Sequence, residues 1–141
     1  MCGFVAMFSK NGAVLPVDRI RTMTNRLHHR GPDDEGYLTL DWCHLGFKRL
    51  SIIDLSEQGH QPMVDQDGRY AVVFNGEIYN YKQLRLELLQ QGCKFRSNSD
   101  TEVLLQAYIT WGTPCFEKFT GMFSCVIINL ADRTAIVAKD P

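Results

Sequence analysis

Hydrophobic and polar positions along this chain fall into two patterns: short alternating or continuous apolar runs at both ends, and three-to-four-residue spacing between them. The apolar run 2–8 predicts a first strand, closed by the turn pair Asn11-Gly12. Val17, Ile20, Thr24 and Leu27 share one helical face, with Pro16 and Asp18 near its start. The polar stretch 28–34 breaks that helix. Two short strands, 37–40 and 43–47, follow around a turn at Asp41-Trp42; 49–55 is mixed and 56–62 reads as loop. A strand over 69–74 ends at Asn75-Gly76, and Asn80 is placed to cap a helix carrying Tyr81, Leu84 and Leu88, stopped by Gly92. A second central helix, 100–111, turns Leu104, Ala107, Tyr108 and Trp111 inward and stops at Gly112 and Pro114. The long apolar run 122–130, a turn at 131–133 and the run 134–139 predict two closing strands. Strands clustered at both ends with helices between them indicate an α+β fold, with helices packed on largely antiparallel sheets. There is no repeat, low-complexity tract or linker.

Length and composition narrow the function. At 141 residues the chain supports one core and one domain. With 15 Lys and Arg against 16 Asp and Glu, the net charge is −1, which gives no general attraction to nucleic acid or to an anionic membrane. No apolar run approaches the roughly 20 residues of a membrane span, and the N-terminus lacks the basic-then-apolar pattern of a signal peptide, so a cytoplasmic protein is expected. Five cysteines, odd in number and widely spaced without C-x-x-C, fit neither a disulfide framework nor a zinc ribbon. Most of them read as small buried hydrophobes. The histidines match no metal-ligand spacing, and phosphate-cradling glycine motifs are missing.

Several residues carry candidate chemistry, each with a plainer alternative. Removal of Met1 would make Cys2 a residue with both a thiol and a free α-amine, and an α-amine titrates near ~8, close enough to neutrality to accept a proton. The alternative is a strand cysteine that lies at position 2 by chance. Arg49, between apolar flanks, suits a two-point grip on a carboxylate, or a structural ion pair with Asp33 or Asp54. Asn75-Gly76 is the favoured pair of a tight hairpin turn, but a helix follows it instead of a return strand. The other reading is an oxyanion hole built from the Asn75 amide and the Gly76 N–H. Ser99 and Glu102 fit a capping box around Asp100, whose carboxylate suits either the helix dipole or a bound cation.

Taken in order, these pieces resemble one family. Met1-Cys2-Gly3, His29-Arg30-Gly31-Pro32-Asp33, Arg49-Leu50-Ser51-Ile52-Ile53-Asp54, Gly59-His60-Gln61-Pro62-Met63, Phe74-Asn75-Gly76-Glu77-Ile78-Tyr79-Asn80 and Ser99-Asp100-Thr101-Glu102 are similar to the class II glutamine amidotransferases. The branch resembled is the N-terminal glutaminase domain of glutamine-hydrolysing asparagine synthetases, over essentially the whole chain, 1–141. The Met-Cys-Gly start and the Asn-Gly-Glu step are shared across the class, whereas the stretches at 49–55 and 59–63 point to that branch.

The resemblance implies a four-layer αββα N-terminal-nucleophile (Ntn) hydrolase sandwich of antiparallel sheets. It also implies roles. Cys2 attacks the side-chain amide of L-glutamine, Asn75 and Gly76 hold the oxyanion, Arg49 binds the α-carboxylate, Glu77 and Asp100 bind the α-ammonium, and backbone near Leu50 and Ile53 lines the pocket. The implied products are glutamate and ammonia, the latter for an ATP-dependent synthetase domain in cis or in trans. No cofactor is expected in this chain; ATP and magnesium belong to that synthetase domain.

Two departures from the family pattern stand out. Lys139 replaces an arginine after the strand at 135–138, and the family's further sheet strands and synthetase domain lie outside 1–141. A chain trimmed or truncated at its C-terminus is the expectation, with self-association through unpaired sheet edges as a consequence. Competing readings are a non-catalytic glutamine-binding or assembly module, an inactive fragment, and the glutaminase domain of a sugar or polysaccharide amidotransferase.

Overall fold

A computed structural model describes residues 2–50 and 59–140. Strands β1 (Gly3–Phe8), β2 (Asp34–Thr39) and β3 (Cys43–Arg49) form an antiparallel sheet in the order β1-β3-β2. The alternation in β3 decides how this sheet is covered. Cys43, Leu45 and Phe47 point into the space between the two sheets, while His44, Gly46 and Lys48 point the other way. All seven β3 residues are nevertheless buried, because helix α1 (Val17–Asn25) lies across the outer face. Ile20 and Thr24 of α1 come so close to Gly46 that a Cβ there would stand 2.0 Å from Thr24 Oγ1. His44 is held on that side with Nε2 3.0 Å from the Leu15 carbonyl, and Lys48 pairs with Glu35 of β2.

The second sheet contains β4 (Met63–Val64), β5 (Tyr70–Ile78), β6 (Gly121–Asn129) and β7 (Thr134–Lys139), in that order and antiparallel throughout. Ala71, Val73, Val126 and Ile128 face the first sheet and close a core with Cys43, Leu45 and Phe47. The alternate residues Val72, Phe74, Ile78, Phe123, Cys125 and Ile127 face helices α2 (Tyr81–Gln90) and α3 (Asp100–Trp111) and build a second core. The layers therefore run α1, sheet, sheet, α2 with α3, which is the expected αββα sandwich. Burial pushes the thiols of Cys43, Cys115 and Cys125 up to about 12, so these three act as apolar core groups.

Four local expectations are corrected. Asn75-Gly76 does not end a strand or form a hairpin turn: β5 continues through it to Ile78, with Asn75 opposite Ser124 and Gly76 opposite Phe123. Asn80 precedes α2, but its side chain does not cap the helix. It donates to Lys118 O at 2.9 Å and accepts from Thr120 N at 3.0 Å, tying β5 to the entry of β6. Only half of the Ser99–Glu102 box forms. Ser99 Oγ accepts from Glu102 N, but the Glu102 carboxylate turns to Arg96 N, Ser97 N and Ser97 Oγ, fixing the preceding loop instead. Helix α3 is buried all round its first half, from Asp100 to Leu105, and not along one stripe.

Candidate active site

The candidate residues come together around one cavity, lined from just before β1, the end of β3, β5 and the start of α3. Extending the β1–β3 register by one residue sets Cys2 opposite Arg49, both on the face that looks toward the second sheet. Cys2 Sγ lies 3.3 Å from Leu50 N, which donates to it, and 3.5 Å from Leu50 O. Arg30, at the end of the turn His28–Arg30 that follows α1, donates from Nε to the Cys2 carbonyl at 3.0 Å. The nucleophile candidate is thus fixed through both its sulfur and its backbone.

Arg49 is 8 % exposed, the burial its flanks predicted. Its own carbonyl accepts from Asp33 N at 3.0 Å. Opposite it, β5 presents Asn75, Gly76 and Glu77. Asn75 Oδ1 is buried and has no hydrogen-bond partner among the described residues. A half-turn of the carboxamide would exchange this oxygen for the donating nitrogen, so the amide is available to a ligand. Gly76 sits at φ +151°, and a Cβ there would stand 2.1 Å from Met122 O; only glycine fits.

The first turn of α3 completes the enclosure. Asp100 is 5 % exposed and accepts from Ile78 N at 3.0 Å through Oδ2. Burial pushes its carboxyl up to about 6, partly countered by backbone N–H bonds, and the nearby Glu77 charge adds to the rise. Glu77 is exposed, so one acid stands at the rim and the other in the wall.

Together Cys2, Arg49, Leu50, Asn75, Gly76, Glu77 and Asp100 line one cavity of about 210 Å³. That is smaller than the ~300–1,000 Å³ of pockets for drug-sized ligands and suits a single small molecule. A buried arginine, a buried acid and a thiol on the wall of one cavity match a small zwitterion that also carries a reactive group. Ile53 lies outside the described residues. The residue-level reading gave no role to Gln61, Thr101, Met122 or Arg30. The first three line the cavity and the last holds Cys2, yet their only sequence signal was membership of the motif stretches or, for Met122, none.

Comparison with known proteins identifies the family. The family model for the glutamine amidotransferase domain matches residues 1–141. Asparagine synthetase [glutamine-hydrolyzing] 1 of Bacillus subtilis is 44 % identical over 144 residues, covering 100 % of this chain and 23 % of that protein. Asparagine synthetase [glutamine-hydrolyzing] 3 of Arabidopsis thaliana is 37 % identical over 141 residues, covering 99 % of this chain and 24 % of that protein. Among solved structures, the glutamine phosphoribosylpyrophosphate amidotransferase of B. subtilis superposes with a TM-score of 0.59 at 27 % identity, over 71 % of this chain and 23 % of that one. The chain therefore spans about a quarter of the length of the relatives it matches.

Proposed function

The chain belongs to the glutamine amidotransferase domain family, and from that premise we propose that it hydrolyses L-glutamine to glutamate and ammonia through a thioester on Cys2. One observation carries the reading: the Cys2 thiol, the Asn75-Gly76 step, the Arg49 guanidinium and two acids surround a single small cavity.

In this mechanism Arg49 grips the α-carboxylate through parallel charge-assisted bonds, and Asp100 and Glu77 take the α-ammonium. The side-chain amide then reaches Cys2. With Met1 removed, the α-amine of Cys2 takes the thiol proton as sulfur adds to the amide carbon. The new C–S bond pushes the carbonyl electron pair onto oxygen, where the Asn75 amide and the Gly76 N–H stabilise it. Collapse breaks the C–N bond, and the amine's proton leaves with the nitrogen as ammonia. Water, losing a proton to the same amine, adds to the thioester. The second tetrahedral adduct expels the thiol and releases glutamate.

The 44 % identical relative is a glutamine-hydrolysing asparagine synthetase, which favours a synthetase domain of that type, in cis or in trans, as recipient of the ammonia. This step takes no cofactor from the present chain; ATP and magnesium serve the synthetase reaction. A cytoplasmic location fits a described fold in which no helix is long and apolar enough to cross a membrane. Among the described residues no strand pairs with the outer edge of β7, where Val137 is 71 % exposed, so a second copy can add there. Sedimentation should then show a larger species growing with concentration, and a monodisperse monomer throughout would remove that part of the reading.

The test of the function is glutamate release from glutamine. Cys2→Ala should abolish it while leaving glutamine binding measurable by calorimetry. Full glutaminase activity in Cys2→Ala would refute the mechanism.

A further inference from the structure

Gln61 does what the backbone of β4 cannot. The β4–β5 register pairs Met63 with Val72 and Val64 with Ala71, so Pro62 falls opposite Val73 and Gln61 opposite Phe74. Proline has no N–H to continue a ladder, and β4 stops at two residues. The Gln61 side chain takes over: Oε1 accepts from Phe74 N at 2.6 Å, and Nε2 donates to Thr101 Oγ1 at 3.2 Å. Gln61 is 5 % exposed and Thr101 4 %, so neither bond has water as a ready substitute.

The two ends of this bridge are informative. Phe74 immediately precedes Asn75, and Thr101 immediately follows Asp100. Asp100 in turn accepts from Ile78 N, the residue after Glu77. The first turn of α3 is therefore tied to β5 just before and just after the three residues assigned to the oxyanion and the ammonium. Gly76, at φ +151°, is the segment's one positive-φ residue, and β6 pairs with the segment along its other edge.

We infer that Gln61 is a positioning residue that, with Thr101, clamps the 75–77 segment in register with α3 and so aligns the oxyanion donors with Cys2. The role rests on the glutaminase reading for its kinetic consequence, but the clamp itself can be read without turnover. Oxyanion alignment matters in the transition state and little in the ground state, so loss of the clamp lowers kcat and leaves KM nearly unchanged.

The test uses the full chain with Gln61→Met, which keeps length and removes both polar groups, and with Thr101→Val and Thr101→Ser. Gln61→Met should lower kcat for glutamine hydrolysis at least about tenfold, with KM within about threefold of the parent. Thr101→Val should fall in the same direction, and Thr101→Ser, which restores the hydroxyl, should recover most of the rate. Hydrogen exchange of the peptide spanning residues 74–78 should quicken in Gln61→Met and Thr101→Val and not in Thr101→Ser. An unchanged kcat in both disrupting variants, a loss confined to KM, or unaltered exchange at 74–78 would overturn the proposal. An inactive parent would instead count against the glutaminase reading, and the exchange arm alone would then decide the clamp. Should Gln61→Met fail to fold, the Thr101 pair carries the same kinetic and exchange comparisons.

Discussion

Asp100 is under two opposing demands. In the proposed role its carboxylate holds an ammonium group, yet burial pushes its pKa up from 3.8 to about 6. A carboxyl with a raised folded-state pKa favours the folded chain below the unfolded value and loses that advantage as pH rises through the folded one. Between about pH 4 and pH 6 the chain should therefore lose about 2–3 kcal/mol through this group, at about 1.4 kcal/mol per unit. Asp100→Asn keeps an acceptor for Ile78 N and escapes the penalty, so denaturant titrations should find it more stable than the parent at pH 7 and little different at pH 4. The same variant should raise KM for glutamine. In the parent, KM should climb as pH drops below about 6, where the site takes up the proton that must leave for the ammonium to bind. Arg49→Ala acts on the opposite end of the ligand. Loss of its charged contact should weaken glutamine binding by about 1.5–3 kcal/mol, read as Kd by calorimetry with kcat less affected.

At the scale of elements, β5 shows what local pattern can and cannot reveal. The apolar runs located β5, β6 and β7 to within a few residues; β5 and β6 bury one face against the other sheet and one against helices, whereas β7 is mostly exposed. The same runs misplaced the end of β5, because Asn-Gly is the strongest local signal for a tight turn. The cross-strand partner Phe123 overrides that signal by pairing with Gly76. β4 was missed because two residues carry no periodicity. The cap by Ser99 was legible and the destination of Glu102 was not, since Ser97 and Arg96 lie on the loop side of the helix start. Two substitutions check this level. Gly76→Ala places a Cβ against Met122 O and should cost about 2 kcal/mol or more in thermal or denaturant unfolding, with loss of activity. Ser99→Ala removes the acceptor for Glu102 N and should cost about 1 kcal/mol.

At the scale of the whole molecule, the site joins segments that are far apart in sequence: Cys2 just before β1, Arg49-Leu50 at the end of β3, Asn75 to Glu77 from β5 and Asp100 from α3. No periodicity could bring these together. The residue types suggested separate, ambiguous roles, and the family motifs supplied the grouping that the cavity then displayed. The long-range pairings of β1 with β3 and β5 with β6 set the distances within it, which is why Gln61 and Arg30 emerge only from the folded chain.

The proposed function stands on Cys2 as a processed N-terminal nucleophile facing a glutamine pocket. Intact mass before and after exposure to an electrophilic glutamine analogue tests it most directly. Expected are a starting mass without Met1 and a single adduct that maps to Cys2 and is prevented by excess glutamine. A chain that retains Met1 and takes no adduct, or takes one elsewhere, would contradict it.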